Sequence, residues 1–500
     1  MISLNDAKRQ ARAAMRHASD YAAWRQAALD LDRLEGLETW KQDDASDDYD
    51  WQLISERLRL IRDLSRRRDH ARLRHHLRQG LHWNLGNLGN PRLYGRAHFG
   101  TKRLVGEYVE AVAAALRDLA ELDEPGWDAA AKRVFFAEIA KAFGRSSLML
   151  SGGATLGLFH VGVVKALYRE DLLPQVISGS SAGAIVAAVV GTRAPGEIEQ
   201  LLDPESAYYH FWKLLPWREI WRRRVLMDQT QVETAIAANV HDLSFEQAYR
   251  ISGRIINVTV SPAGRNQPPR LLNYLTFPYL MVREAVLASA AVPFLFEPVR
   301  LASRDVRGRR VPYMPSLRWT DGSLKSDLPI LRLRRLHNVN HFVVSQTNPH
   351  VLPFLARRAP DKPTLLGGLR EYLSSTLAAQ ARSLMRLGRS SLPVAALERG
   401  LEIASDILEQ NYRGNINILP DVTLWRYINV TRNPRMETVR RFILEGERAT
   451  WPRLEMIRIH TTISRALAEC VQRVGSMPDI KRRAAAEPVR RRPRVAAAGG

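Results

Sequence analysis

The chain has 500 residues, 45% of them hydrophobic, which suffices for a large core and excludes both a single small domain and a disordered chain. Its formal charge of +22 predicts an anionic partner: nucleic acid, an anionic membrane surface or an acidic protein. Cys470 is the single cysteine, so no intrachain disulfide can form. With no apolar secretory core in residues 1–25 and no apolar run longer than 184–190, we expect a cytoplasmic protein whose membrane contact is peripheral.

Residues 1–145 are predicted to form a helical N-terminal domain. Apolar residues recur at spacings of three and four over 51–73 and 104–119, as in amphipathic helices. The stretch 80–100, rich in glycine and asparagine, has the composition of an irregular loop.

Short apolar runs that alternate with glycine turns and helical patterns begin at Ser146 and continue to residue 349. We expect strands at 147–150, 175–178, 255–260, 317–320 and 342–345, and helices at 159–169 and 184–191. This alternation predicts an α/β fold with a mostly parallel sheet, and it makes 146–349 the candidate catalytic core.

Helical patterns return beyond residue 349. They cover 369–387 and 394–408 and two later helices that end near Val474, with a short extended piece at 416–419. We therefore expect a helical C-terminal region over 350–480. The tail 481–500 has seven basic residues and one acid, a composition typical of a disordered segment.

A G-x-S-x-G motif lies between a predicted strand and a predicted helix: Gly179-Ser180-Ser181-Ala182-Gly183. Glycine at both ends permits the strained turn that lifts a serine side chain out of a sheet, and the helix that follows directs its first amides toward a developing oxyanion. This context favours Ser181 as a nucleophile over the alternative, a tight structural turn.

A glycine-rich loop, SGGATLG at 151–157, follows the first predicted strand. Ester hydrolysis builds negative charge on the carbonyl oxygen, and the amides of such a loop can approach that oxygen closely. The expected donors are Gly152, Gly153, Ala154 and Ala182. A plain turn that ends in Gly157 is the alternative. A dinucleotide fingerprint is disfavoured, because the next strand ends in the serine motif and not in the acid that would hold a ribose.

The third motif is Asp321-Gly322-Ser323, directly after the predicted strand at 317–320. A carboxylate at the carboxyl edge of a parallel sheet would face the same rim as Ser181 and could act as its base. A surface turn also favours Asp-Gly, so this motif alone does not decide. Asp327, just ahead of Leu328-Pro329, is interpreted as structural.

The histidines leave a Ser-His-Asp triad open, because four of them follow Asp321: His337, His341, His350 and His460. His160, on the helix after the glycine loop, is interpreted as a packed residue. No histidine is followed five positions later by aspartate, so the acyltransferase box H-x-x-x-x-D is missing. Neither a metal nor a cofactor is expected.

In this order and spacing, the three motifs resemble those of the patatin-like phospholipase family. The resemblance covers about 147–345 and implies a three-layer αβα core, a dyad of Ser181 and Asp321 without histidine, and an acyl-enzyme that water opens. The stretches 83–104, 271–276 and 288–293 are similar to yeast and plant-seed triacylglycerol lipases, which implies a triacylglycerol or phospholipid substrate.

The chain departs from the family pattern at two places. Ala154 and Leu156 stand where the family loop usually has a third glycine and a basic residue, and Ser323 follows the Asp-Gly pair where glycine or alanine is more frequent. A non-catalytic, membrane-associated scaffold on the same core is therefore the alternative to a serine lipid acyl hydrolase.

Residues 211–224, called here the aromatic-basic segment, contain three tryptophans and five basic residues. Tryptophan favours the headgroup region of a bilayer and arginine favours anionic lipid, so this segment is the candidate for contact with a membrane or lipid-droplet surface. A helix packed on the core with a solvated basic face is the alternative. Nucleic-acid binding is not expected, because no zinc-ligand spacing or RNP-like motif is present. The sequence does not indicate an oligomeric state.

Overall fold

A computed structural model describes residues 3–201, 203–264, 267–349, 351, 414–421 and 431–477. The helices predicted at 369–387 and 394–408 and the tail at 481–500 lie outside the described residues. Within the ranges given above, no helix combines the length and the apolar character that crossing a bilayer requires.

The helices before the sheet are α1 Leu4–His17, α2 Tyr21–Leu34, α3 Leu37–Gln42, α4 Trp51–Arg66, α5 His70–Arg78, α6 Pro91–Gly95, α7 Arg103–Glu121 and α8 Ala129–Phe143. Those that follow are α9 Leu158–Arg169, α10 Ala182–Gly191, α11 Ile198–Leu201, α12 Trp217–Arg223, α13 Gln229–Asn239, α14 Phe245–Ser252, α15 Val282–Ala290, α16 Ser323–Ser326, α17 Ile330–His337, α18 Met436–Thr450 and α19 Leu454–Gly475. The strands are β1 Arg145–Leu150, β2 Val176–Gly179, β3 Ile255–Pro262, β4 Arg270–Leu272, β5 Leu301–Arg304, β6 Arg310–Tyr313, β7 Trp319–Asp321, β8 Val339–Ser345 and β9 Ile416–Ile418.

The main sheet has the order β4-β3-β2-β1-β8-β9, and β7 also pairs with β3. Strands β3, β2, β1, β8 and β9 are parallel neighbours, whereas β4 and β7 run antiparallel to β3. The crossovers through α9 and α10 step in the same direction along the sheet, so both helices lie on the same face. The predicted α/β fold with a mostly parallel sheet is confirmed.

The central strands are covered on both faces. All four residues of β2 and all eight of β3 are buried, and in β3 these include the polar residues Asn257, Thr259 and Ser261. Helices cover both faces of a parallel sheet, so both sets of side chains along a central strand are removed from water. A separate hairpin is formed by β5 and β6.

The structure differs from the sequence interpretation in two local places. The helical pattern over 51–73 is broken between α4 and α5, because Arg68 adopts a left-handed φ of 55° and the Asp69 side chain caps the next helix through the amide of Arg72. The strand that carries Asp321 is also not parallel to its neighbour. It runs antiparallel to β3, with Asp321 opposite Val260.

The described residues form two compact units. The first contains the described parts of Met1–Leu37, Ala97–Gly100 and Arg145–Arg458, and it holds the sheet. The second contains residues 38–96, 101–144 and 459–477 and is helical, with α4 packed on α7.

Candidate active site

Ser181 lies between the end of β2 and the start of α10 with φ 51° and ψ −120°, a strained conformation for a residue with a side chain. Its backbone amide donates to Ser289 Oγ on α15 (2.9 Å), and Ser289 Oγ donates in turn to the carbonyl of Thr259 on β3 (2.7 Å). These two bonds fix the turn against the sheet. Ser181 is 7% exposed, which leaves its side chain a narrow access to the cavity described below.

The glycines of the G-x-S-x-G turn are required by close packing. A Cβ on Gly179 would collide with the carbonyl of Gly183, and one on Gly183 would collide with the carbonyl of Leu150. Only glycine therefore lets the turn fold back tightly enough to project Ser181 from the rim of the sheet.

Two strands that share one edge of β3 bring Asp321 to Ser181. β2 pairs with β3 as far as Gly179, opposite Val258, and β7 continues along the same edge, with Asp321 opposite Val260. Because β4 occupies the other edge at these positions, β7 can only lie where β2 has ended. The antiparallel direction of β7 therefore does not move Asp321 away from the serine turn.

The carboxyl group of Asp321 is buried, with 2% exposure of the residue. Its Oδ1 accepts the amide of Ser323 (2.7 Å), and its Oδ2 is buried with no hydrogen-bond partner among the described residues. Burial raises the pKa of Asp321 to about 6, against the opposing effects of Ser323 and of the Ser181 side chain. Among the described residues no hydrogen bond joins the Ser181 hydroxyl to this carboxyl group, but both residues line the cavity described below.

The glycine loop supplies amides that face no protein acceptor. The amides of Gly153, Ala154 and Ala182 donate no hydrogen bond within the part of the chain that the structure describes. Gly152 differs from them, because its amide donates to Asp327 Oδ1 at 2.9 Å. Three of the four expected donors therefore have no acceptor among the described residues, and the fourth is engaged.

Contacts at the glycine loop hold it against the serine turn and the Asp-Gly motif. A Cβ on Gly157 would lie 2.5 Å from the Cβ of Ala182. A Cβ on Gly152 would lie 3.0 Å from Ser323 Cβ and 3.4 Å from Ser181 Cβ. Gly322 also has no room for a side chain, because a Cβ there would collide with the carbonyl of Thr259. All three sequence motifs therefore meet at one point.

Asp327 accepts hydrogen bonds from four residues. Besides accepting the Gly152 amide, its Oδ2 accepts the side-chain amides of Gln346 (3.4 Å) and Asn348 (3.3 Å), and its carbonyl accepts the Ser180 hydroxyl (2.9 Å). Burial raises its pKa to about 7 against these hydrogen bonds, and the charge of Asp321 adds to the rise. Asp327 thus ties the glycine loop and the serine turn to the segment after β8.

Three candidate histidines, His160, His337 and His341, bond to groups other than Ser181 and Asp321. His160 bonds Ser345 Oγ through Nδ1 (2.7 Å) and lies 3.0 Å from both Ser151 O and Thr347 Oγ1 through Nε2, and burial lowers its pKa to about 4. His337 bonds Asn257 Oδ1 (2.8 Å), and its pKa is also lowered to about 4 by burial. His341 Nδ1 lies 3.1 Å from Ser146 Oγ. His350 lies outside the described residues.

A cavity of about 280 Å³ opens on Ser181 and Asp321. Its lining is mainly aliphatic and aromatic, with the catalytic candidates and the glycine loop among its few polar groups, and no described histidine contributes to it. Among the described residues, no group of three or more His, Cys, Asp and Glu side chains is placed to hold a metal ion.

The aromatic-basic segment begins at this cavity. Phe211 and Trp212 line the cavity, and the Trp212 indole donates to Thr155 Oγ1 in the glycine loop (3.0 Å). The amide of Leu215 then donates to the carbonyl of Leu226 (3.0 Å), and the amide of Leu226 donates to the carbonyl of Phe294 (3.2 Å). The segment is therefore an ordered projection at the rim of the cavity.

Within this segment, helix α12 is not packed on the core. Trp217 is 68% exposed and Trp221 80%, and α12 contains no buried residue. Leu214 and Phe294 beside them are 64% and 57% exposed. A helix packed on the core would have a buried face, so the packed-helix alternative does not describe α12.

Sequence comparison connects this site to known proteins. Residues 1–141 match a domain of unknown function, DUF3336, and residues 148–334 match the patatin-like phospholipase family. Triacylglycerol lipase SDP1L of Arabidopsis thaliana is 35% identical over 94% of this chain and 59% of its own length. Triacylglycerol lipase 4 of Saccharomyces cerevisiae is 35% identical over 89% of this chain and 51% of its own.

Triacylglycerol lipase ptl3 of Schizosaccharomyces pombe is 33% identical over 95% of this chain and 98% of its own. The chain thus spans little more than half the length of the first two relatives and nearly all of the third. The resemblance that the three motifs indicated is confirmed along almost the whole sequence. The chain belongs to the patatin-like phospholipase family, in the group that carries DUF3336 ahead of the patatin domain and includes these triacylglycerol lipases.

Proposed function

We propose that this protein hydrolyses carboxylic ester bonds of triacylglycerol or phospholipid through Ser181 and Asp321. The observation that carries the proposal is the buried Asp321 carboxyl group beside the strained Ser181, at one end of an apolar cavity. The names of the relatives, triacylglycerol lipases, support the substrate class.

In the first half of the reaction, Ser181 Oγ attacks the ester carbonyl carbon while its proton passes to Asp321. A carboxylate whose pKa is raised to about 6 is a better base than an ordinary aspartate and is still ionised at neutral pH. Negative charge develops on the carbonyl oxygen and is received by the amides of Gly153, Ala154 and Ala182. Collapse of the tetrahedral intermediate releases the alcohol, which takes the proton from Asp321, and leaves an acyl group on Ser181.

In the second half, a water molecule repeats the same steps. Asp321 accepts a proton from the water as the water attacks the acyl carbonyl, and Ser181 recovers its proton when the fatty acid leaves. A dyad without histidine is supported by the bonds of His160 and His337, which point these rings at Ser345 and Asn257.

Labelling with a fluorophosphonate tests the nucleophile, because only an activated serine reacts. We expect the wild-type protein to be labelled and Ser181→Ala to be unlabelled. Ser178→Ala is the matched control, since Ser178 is a buried serine on β2 that lies outside the proposed machinery and whose hydroxyl bonds to none of the residues that the structure describes. A panel of triacylglycerol, phospholipid and lysophospholipid with the same variants then identifies the substrate.

The outcome separates the enzyme from the non-catalytic scaffold. Absence of labelling in a folded wild-type protein would support the scaffold, whereas hydrolysis that survives in Ser181→Ala would assign the activity to another residue or to a contaminant. Asp321→Asn should lose hydrolysis while it keeps the fold, because an amide cannot accept the serine proton.

We further propose that the aromatic-basic segment docks the protein peripherally on an anionic phospholipid surface, such as that of a membrane or a lipid droplet. Trp217 and Trp221 present exposed rings, and Arg218 and Arg224 form no ion pair with a described residue. Exposed indole rings beside unpaired guanidinium groups match the interfacial layer of an anionic bilayer. The segment also borders the cavity, so docking would place the cavity mouth at the lipid.

A further inference from the structure

The cavity runs along two helices away from Ser181. Helix α9 contributes Leu158, Val161 and Val164 to its lining, and α10 contributes residues from Ala182 to Val190 at the spacing of one helix face. The apolar lining therefore follows both helices for about two turns.

The two helices begin together, so their depths can be compared. Gly157, which precedes α9, is in contact with Ala182 at the start of α10. Val190 lies eight residues beyond Ala182 and Val164 seven beyond Gly157. At 1.5 Å per residue, both valines lie about 10 to 12 Å along the helix axes from the catalytic end. Val164 and Val190 are thus the lining residues of α9 and α10 that lie farthest along each helix from the catalytic end.

This shape selects an apolar, elongated group. The reacting groups Ser181 and Asp321 lie at one end, and valine, isoleucine and leucine side chains continue from there. Asn239, a polar residue of the lining, has its side chain bonded to the backbone of Tyr208 in both directions. Its polar atoms are therefore already satisfied, and the long wall offers a ligand hydrophobic contact.

We propose that the cavity holds the acyl chain of the scissile ester and that Val164 and Val190 form the floor that limits its length. The inference rests on the proposed function, because it places the acyl carbonyl at Ser181. The preferred substrate class is then an ester whose acyl chain ends near these valines, and longer chains are disfavoured.

The test is the dependence of hydrolysis on chain length, with p-nitrophenyl butyrate, octanoate, dodecanoate and palmitate as probes. Val164→Phe and Val190→Phe should lower the ratio of dodecanoate to butyrate kcat/KM by about tenfold or more, because a hydrophobic pocket discriminates by that factor for small changes in size. Val163→Phe is the matched control. Val163 is fully buried on the same helix, between two lining residues, but does not line the cavity.

If the phenylalanine variants do not fold, Val164→Ala and Val190→Ala carry the test in the opposite direction. They should raise the ratio of palmitate to butyrate, and Val163→Ala should leave it unchanged. The butyrate rate of each variant reports its folded, active fraction, so the ratio is independent of stability.

The two proposals fail in different ways. If the wild-type protein hydrolyses the esters no faster than Ser181→Ala, the proposed function is overturned, and this inference with it. Serine-dependent hydrolysis whose chain-length ratios are the same in the wild type and in the Val164 and Val190 variants would overturn the inference alone.

Discussion

The amide of Gly152 donates a 2.9 Å hydrogen bond to Oδ1 of Asp327, a carboxyl group 175 residues further along the chain. This bond crosses from the glycine loop to the loop after the Asp-Gly motif, so it determines where the neighbouring amides of the glycine loop point. Asp327 was interpreted as structural from the sequence. Because Asp327 does not line the cavity, we propose that it acts as a positioning residue for the proposed oxyanion donors.

Replacing Asp327 by alanine should therefore lower both activity and stability. The amides of Gly152, Gln346 and Asn348 would lose an acceptor inside the protein, at about 1 to 3 kcal/mol for each group left unpaired. We expect kcat to fall about a hundredfold, because donors displaced by about 1 Å lose that much. Asp327→Asn keeps an acceptor for Gly152 and should keep most of kcat. Equal kcat in the alanine and wild-type proteins would show that the loop holds its position without Asp327.

The raised pKa of Asp321 predicts the pH dependence of hydrolysis. A protonated carboxyl group cannot accept the serine proton, so kcat/KM should rise with pH and reach half of its plateau near pH 6. A histidine base is not needed to explain a midpoint in that range. The measurement is a pH profile with a soluble ester at constant ionic strength. A midpoint near the usual aspartate value of 3.8 would contradict the burial argument.

Asp321 should also make the protein less stable at neutral pH than an amide would. Because its pKa in the folded state is above the unfolded value, the folded state binds the proton more tightly, and stability falls as pH rises from about 4 to about 6. Asp321→Asn cannot ionise, so its Tm should exceed that of the wild type at about pH 8, and the difference should shrink at about pH 4. Thermal unfolding at the two pH values measures this. A lower Tm for Asp321→Asn at the higher pH would contradict it.

Ala154 occupies a position whose backbone favours glycine, since its φ is 50°. A residue with a side chain destabilises the folded state by about 1 to 2 kcal/mol in this backbone region. Glycine avoids that strain, but it lowers the free energy of unfolding by about 0.4 to 1 kcal/mol because it makes the unfolded chain more flexible. Ala154→Gly should thus be neutral or stabilising by up to about 1.6 kcal/mol, with hydrolysis retained because the amide remains. Chemical denaturation and ester kinetics test both parts. Marked destabilisation would show that the methyl group contributes packing that outweighs the strain.

Local sequence was sufficient to predict the parts of the site that depend on local geometry. The turn at Ser181 and the loop at 151–157 each follow a strand, and glycine spacing alone indicates their shape. Ser289 and Asp327 were not assigned a role in the site. They bond Ser181 and Gly152 across 108 and 175 residues, and local sequence patterns carry no information on contacts at such separations.

The direction of β7 shows the same limit. A three-residue strand has no periodicity that distinguishes parallel from antiparallel pairing, so the sequence located Asp321 at a strand end but gave its orientation wrongly. Asp321 nevertheless lies beside the serine turn, as the sequence indicated. The part of the β3 edge beyond the end of β2 has room for one short strand, and a strand of either direction there lies next to that turn.

The last prediction concerns the aromatic-basic segment and its binding to lipid vesicles. Trp217→Ala with Trp221→Ala should weaken binding to phosphatidylcholine vesicles that contain phosphatidylserine by about tenfold or more, since each indole would lose about 1.5 to 3 kcal/mol of burial in the interface. Arg218→Gln with Arg224→Gln should weaken it too, and only in this pair should the remaining binding become less dependent on salt, because screening acts on the charges and not on the rings.

Tyr279→Ala is the control for the vesicle experiment, because Tyr279 is an aromatic residue with 59% exposure outside this segment. All these variants should hydrolyse soluble p-nitrophenyl butyrate at the wild-type rate, which separates docking from chemistry. Vesicle binding that is unchanged by the tryptophan pair would assign docking to another surface. Retention on DNA that exceeds retention on vesicles at the same salt concentration would instead indicate that the basic charge of the protein serves nucleic acid.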